Sequence, residues 1–192
     1  GLLYHFLRKK FKLNYLYSIT SMVKFFIVIC IFCSVCPGLN LSAQSLDLAW
    51  AKRIGSSGSD EANSITTDAT GNVFVTGKFR GIVDFDPGPA VQNLTSFGGS
   101  DIFIMKVDPA GTFQWVKQMG GTGDDVANAI FIDGNGTIYT TGYFSNTADF
   151  DPGPAGFNLV ANGSNIFVSK LTAAGNFIWA KSMGGTTVNG TA

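Results

Sequence analysis

The sequence predicts an all-β fold of tandem four-stranded antiparallel blades of a β-propeller, an incomplete ring of two blades plus the start of a third. Three observations predict it. Trp50, Trp115 and Trp179, the only tryptophans, stand 65 and 64 residues apart and open matching phrases, Trp50-Ala51-Lys52, Trp115-Val116-Lys117 and Trp179-Ala180-Lys181. A fixed period is the signature of like units that bury their faces on one another. No segment carries a useful 3.6-residue apolar period, and β-branched and aromatic residues dominate the extended runs. The run Ile102–Val107 places Ile102 and Ile104 on one face and Phe103, Met105 and Val107 on the other. A strand apolar on both faces needs cover on both, which stacked blades supply.

Within the first repeat four strands are expected: Ala62–Asp68, Val73–Phe79, Asp101–Val107 and Phe113–Gln118. Gly71, Gly111, Gly136 and Gly175 fall where tight turns need a left-handed residue. Ala62, Ser64, Ala127 and Ala129 keep the first strand of each unit slim, as a crowded innermost strand requires. The longest shared block is Asp84–Ala90 with Asp149–Ala155, read as a loop before the third strand. The segment Leu46–Ile54 matches a fourth strand with no first three before it. It is expected to clasp the last blade of a longer ring; without that blade Trp50 is expected to be poorly buried, or buried only against the first blade, with Trp115 well packed and Trp179 between the two cases.

Averaged composition hides two unlike segments. Residues 1–43 hold five basic residues and no acid; residues 44–192 hold eight Lys and Arg against thirteen Asp and Glu, a net charge of −5. Dispersed acidic charge offers no footprint for nucleic acid. Lys24, the apolar run Phe25–Cys36 and the small Ala43 form the three parts of a signal peptide, so residues 1–43 are expected to be a leader, with Met22 a candidate start and residues 1–21 an upstream extension. The apolar run is shorter than the ~20 residues a membrane span needs; an anchor is the alternative. Residues 44–192 are then a partial propeller with repeats 50–114, 115–178 and a partial 179–192. His5, Cys30, Cys33 and Cys36 all lie in the leader. Beyond it there is no Ser-His-Asp or Cys-His machinery, no thiolate or imidazole zinc site and no disulfide.

The Gly-Asn-Val-Phe-Val-Thr-Gly run at 71–77, the Asp-Phe-Asp-Pro-Gly block, the Asp101–Lys106 strand and the Trp-Ala-Lys phrase resemble the SBBP (seven-bladed β-propeller) repeat of bacterial secreted and surface proteins. The resemblance covers 50–192. It implies a propeller of more repeats than these, often joined to surface or sorting modules, and it brings no shared catalytic residue.

Asp84, Asp86, Asp149 and Asp151 are candidate weak Ca²⁺ ligands, since paired carboxylates on a Pro-Gly turn offer hard oxygen donors. The competing reading has each Asp capping backbone amides while Phe85 or Phe150 anchors the loop. No other cofactor is expected. Asp60-Glu61 and Asp124-Asp125 are paired carboxylates of the kind acid–base chemistry uses, but recurrence in each repeat favours turn formation. Gly120–Gly123 imitates a phosphate loop without its Lys and helix. Lys52, Lys117 and Lys181 read as edge lysines that discourage strand addition.

These features favour a non-enzymatic secreted or cell-surface scaffold presenting loops to protein or glycan, extended by further repeats of the same chain, with no nucleic acid and no membrane span after leader cleavage. The alternatives are the propeller of a secreted polysaccharide-degrading enzyme or a Ca²⁺-binding adhesin repeat. A catalytic site should break the repeat symmetry. The differences noted, Arg80 against Ser145 and Lys78 against Tyr143, do not point to one.

Overall fold

The computed structural model describes residues 48–184; the leader and residues 185–192 lie outside the described residues. The first blade runs β1 (Glu61–Thr67), β2 (Val73–Phe79), a short arm of β3 (Ile82–Asp84) and β4 (Asn93–Thr95), then β5 (Asp101–Val107) and β6 (Phe113–Gly121). The second runs β7 (Val126–Ile132), β8 (Ile138–Asp149), β9 (Asn158–Leu171) and β10 (Phe177–Met183). Each is an antiparallel meander, β1-β2-β5-β6 and β7-β8-β9-β10. The two are stitched where Gly120 and Gly121 at the end of β6 pair with Asp149 and Ala148 of β8. The fold is all-β, and the sheet does not close on itself.

The hairpin turns follow from their chemistry. Gly71, Gly111, Gly136 and Gly175 have φ of 83°, 77°, 78° and 76°, a region where a Cβ is costly. Each turn is held by the residue three before the glycine. Asp108 Oδ1 accepts from Ala110 N at 2.9 Å and Thr112 N at 2.8 Å, and Asp133 Oδ1 does the same for Asn135 and Thr137. Thr172 takes the role in the fourth turn, accepting from Asn176 N at 3.1 Å.

The core lies mostly between the blades. Phe74, Ile102, Ile104 and Met119 of the first blade pack on Ile130, Ile138, Phe144, Phe150, Phe167 and Leu171 of the second. The other face of β5, with Phe103, Met105 and Val107, belongs to a separate cluster with Phe79, Val83 and Phe85. Strand β5 is therefore buried on both faces, as its sequence requires. The innermost strands meet as expected: Asn63 Nδ2 donates to Ala127 O at 2.9 Å, and Ile130 N donates to Ser64 Oγ at 3.3 Å.

One expectation changes. The Asp84–Pro89 loop crowns a hairpin arm, β3 with β4, which in the second blade merges with the main strands to give 12-residue β8 and 14-residue β9. Residues 48–54 form no strand, and among the described residues no third strand of another blade lies beside them to supply hydrogen bonds. Trp50 nonetheless takes a fourth-strand position: it lies over Gly111 and donates through Nε1 to Pro109 O at 2.9 Å. Trp115 sits likewise over Gly175 of the next blade. All three tryptophans are half-buried: Trp50 packs against first-blade residues, and Trp115 packs against the core between the blades.

Candidate functional site

The Asp-Phe-Asp-Pro-Gly tips are the same in both blades. Asp84 Oδ1 accepts from Asp86 N at 3.1 Å and Gln92 N at 2.8 Å, and Asp86 Oδ1 accepts from Gly88 N at 2.7 Å. In the second blade Asp149 Oδ1 accepts from Asp151 N at 2.9 Å and Phe157 N at 2.7 Å, and Asp151 Oδ1 from Gly153 N at 2.8 Å. The intervening phenylalanine anchors the tip. Phe85 stacks between Phe79 and Phe103 with centroids 5.2 and 5.0 Å away, and Phe150 does so between Phe144 and Phe167 at 5.2 and 4.8 Å. Outside that anchor the tips project Pro89, Ala90 and Val91, and Pro154 and Ala155, into solvent.

Each aspartate pair thus commits its Oδ1 atoms to backbone amides, and only its two Oδ2 atoms carry no such bond. Ca²⁺ takes 6–8 oxygen ligands. Among the described residues no group of three or more Asp, Glu, His or Cys side chains converges to hold a metal ion.

The paired acids before β1 and β7 have structural work. Asp60 Oδ2 accepts from Ser56 N at 2.6 Å and Oδ1 from Arg80 N at 3.2 Å. Asp125 repeats this, its Oδ2 accepting from Gly121 N at 2.8 Å and its Oδ1 from Ser145 N at 3.2 Å. Glu61 pairs with Lys78 Nζ at 3.1 Å, and Asp124 Oδ1 accepts from Ser100 N at 2.9 Å. The glycines of 120–123 allow close approach rather than phosphate binding: a Cβ on Gly121 or Gly123 would run into the carbonyl of Thr147 or Ser145.

Asp101 was not among the sequence candidates. It is inaccessible to solvent, its Oδ2 accepts from Gln118 Nε2 at 2.6 Å and Phe97 N at 3.1 Å, and its Oδ1 has no partner. Burial pushes its carboxyl up against the hydrogen bonds that favour ionisation. Burial likewise raises Asp125 to about 6, with Asp101 and Asp124 adding to the shift. The signal was legible, because Asn165 holds the equivalent place in the second repeat and the acid occurs in one repeat only.

The outer faces of the two blades are open. On the first, a groove of about 350 Å³ is lined by Trp50, Ile54, Ile65, Val75, Phe103 and Met105 among others. Ile65 is 68% exposed, whereas Ile130, its counterpart facing the first blade, is 8% exposed. On the far side Met183 is 51% exposed and its counterpart Met119 is 1% exposed.

A family model described as a beta-propeller repeat (SBBP) matches residues 49–78 and 114–151. An uncharacterized WD repeat-containing protein of Acanthamoeba polyphaga mimivirus is 31% identical over 133 residues, 59% of this chain and 10% of that protein. Regulatory protein FlaEY of Caulobacter vibrioides is 26% identical over 129 residues, 67% of this chain and 13% of that protein. The chain spans roughly a tenth of the length of these curated relatives. The first match takes in β1 and most of β2 of the first blade and the second runs from β6 through β7 and β8, so in these two stretches the chain matches the SBBP beta-propeller repeat.

Proposed function

We propose that the chain is part of an exported, non-enzymatic propeller scaffold, extended by further blades of the same repeat, whose hairpin tips present a repeated surface to protein or glycan. The repetition of the tips carries this reading. Two blades set the same anchored Asp-Phe-Asp-Pro-Gly turn at the same place, each with exposed proline and small apolar residues beyond it. Identical modules at fixed spacing suit multivalent capture, in which weak contacts add through effective concentration. The open, apolar blade faces support the further blades: Ile65 and Met183 expose what Ile130 and Met119 bury. The leader pattern of residues 1–43 supports export.

The test is binding of the full chain to a glycan array and to immobilised extracellular proteins. A second chain with both tips, 87–90 and 152–155, replaced by Gly-Ser serves as comparison. Binding by the first and its loss in the second is expected. Turnover of a polysaccharide by the purified chain would favour the enzymatic alternative instead. N-terminal sequencing of exported material should begin near Gln44; retention of Phe25–Cys36 would argue for an anchor.

A further inference from the structure

Two carboxyl groups with no solvent access lie on opposite sides of the seam between the blades. Asp101 opens β5 of the first blade, and Asp125 ends the loop that leads into β7 of the second. Both meet the same two-glycine segment. A Cβ on Gly120 would lie 2.7 Å from Asp101 Cγ, and the next residue, Gly121, donates its amide to Asp125 at 2.8 Å. The backbones interlock beside them, with Asp125 N donating to Ser100 O at 2.7 Å and Ser100 N to Asp124 Oδ1 at 2.9 Å. Asp101 Oδ1 is left without a hydrogen bond in this setting.

Among the described residues no cation pairs with either carboxyl. Of the charged groups on the packed elements, Lys78 of β2 is engaged by Glu61, and Arg80 just past β2 is exposed. Lys117 of β6 lies against Gly175 of the other hairpin, away from the seam. The remaining neighbours are acidic: Asp124 is exposed, and Asp149, whose backbone pairs with Gly120, holds Asp151 N and Phe157 N.

We propose that Asp101 and Asp125 form a proton-operated clasp between the blades, firm while the pair holds a proton and loosened when both carboxyls ionise. Two buried carboxylates flanking one two-glycine segment repel, and a proton on either removes a buried charge that nothing pairs. The second repeat supplies a built-in contrast. Asn165 stands in place of Asp101 and donates through Nδ2 to Ser182 Oγ at 3.1 Å, a neutral group at the equivalent position of the second blade. The direction of the pH effect follows from the raised groups, Asp125 at about 6 and Asp101 above its ordinary value. The folded chain binds more protons than the unfolded one between about pH 4 and 6, so stability falls as pH rises through that window.

The test measures Tm of the full chain and of Asp101→Asn at pH 7.5 and 5.0, with site-resolved carboxyl NMR titration of the wild type. The wild-type Tm is expected to rise by roughly 3–6 °C on acidification. Asp101→Asn should melt at pH 7.5 near the wild-type pH 5.0 value and respond less than half as much to pH. Equal pH responses in the two proteins would overturn the proposal. If the variant does not fold, the wild-type titration decides alone: midpoints for both Asp101 and Asp125 near the ordinary ~3.9 refute the clasp, and a midpoint well above it for either supports it.

Discussion

Gly77 and Gly142 carry no side chain because the neighbouring strand's backbone occupies the place where one would stand. Each lies across from the bulge in the innermost strand, at Ala62/Ser64 and Ala127/Ala129, and a Cβ would strike the carbonyl of Glu61 or Val126. Gly142→Ala is therefore expected to cost about 1–3 kcal/mol in chemical denaturation, as overpacking against rigid backbone does. A loss within 0.5 kcal/mol would show the strand can shift. The turn aspartates govern the acid limb of stability. Burial works to raise the Asp68 carboxyl, yet bonds from the side chains and amides of Asn72 and Thr70 outweigh it and hold the group at about 2. Asp133 is also lowered, chiefly by the amide of Thr137. Their folded values lie below the unfolded ones, so their contribution is complete above pH ~4 and lost as pH falls toward 2. Asp68→Ala should flatten that acid limb in a thermal-melt series; an unchanged limb would contradict the assignment.

At the scale of the element, the hairpin tip is the unit that repeats and the one the sequence conveyed least completely. The turns of 68–71 and 108–111 were legible because Asp, Gly and the following polar residue announce themselves within four positions. The arm β3–β4 was not. Its strands are three residues each and its register is set by Phe85 wedged between Phe79 and Phe103, a tertiary contact invisible in the local pattern. Asp101 escaped for a related reason: its chemistry comes from burial at a seam, and only the comparison with Asn165 marked it. Phe150→Ala should cost about 3–5 kcal/mol, because the ring is fully buried in the inter-blade core. Asp149→Ala removes two amide acceptances and should cost about 1 kcal/mol, read by urea denaturation; equal losses for the two variants would contradict the ranking. For the Ca²⁺ candidates, calorimetry on the full chain should give at most millimolar binding, in the class of weak extracellular modules. Micromolar binding that vanishes in Asp84→Ala/Asp149→Ala would contradict the capped-turn geometry.

Across the whole molecule, the blade stack was readable from the period of the tryptophans and from the two apolar faces of β5. What the period could not give is how the ends are finished. Both outer faces expose side chains whose repeat counterparts are buried between the blades, and residues 48–54 lie over the first blade without a strand beside them. Those faces match the inner junction position by position: Ile65 with Ile130, Ile166 with Ile102, Met183 with Met119. We propose that a blade of the same repeat covers them, which would bury several large apolar side chains at about 25 cal/mol per Å² of apolar surface. Thermal unfolding of a chain in which the second repeat, residues 115–178, is duplicated in tandem shows whether these faces take a further blade. A single cooperative transition at least several degrees above that of the parent is expected, with reduced binding of a hydrophobic dye. A Tm equal to or below the parent's, with the dye still bound as strongly, would contradict it.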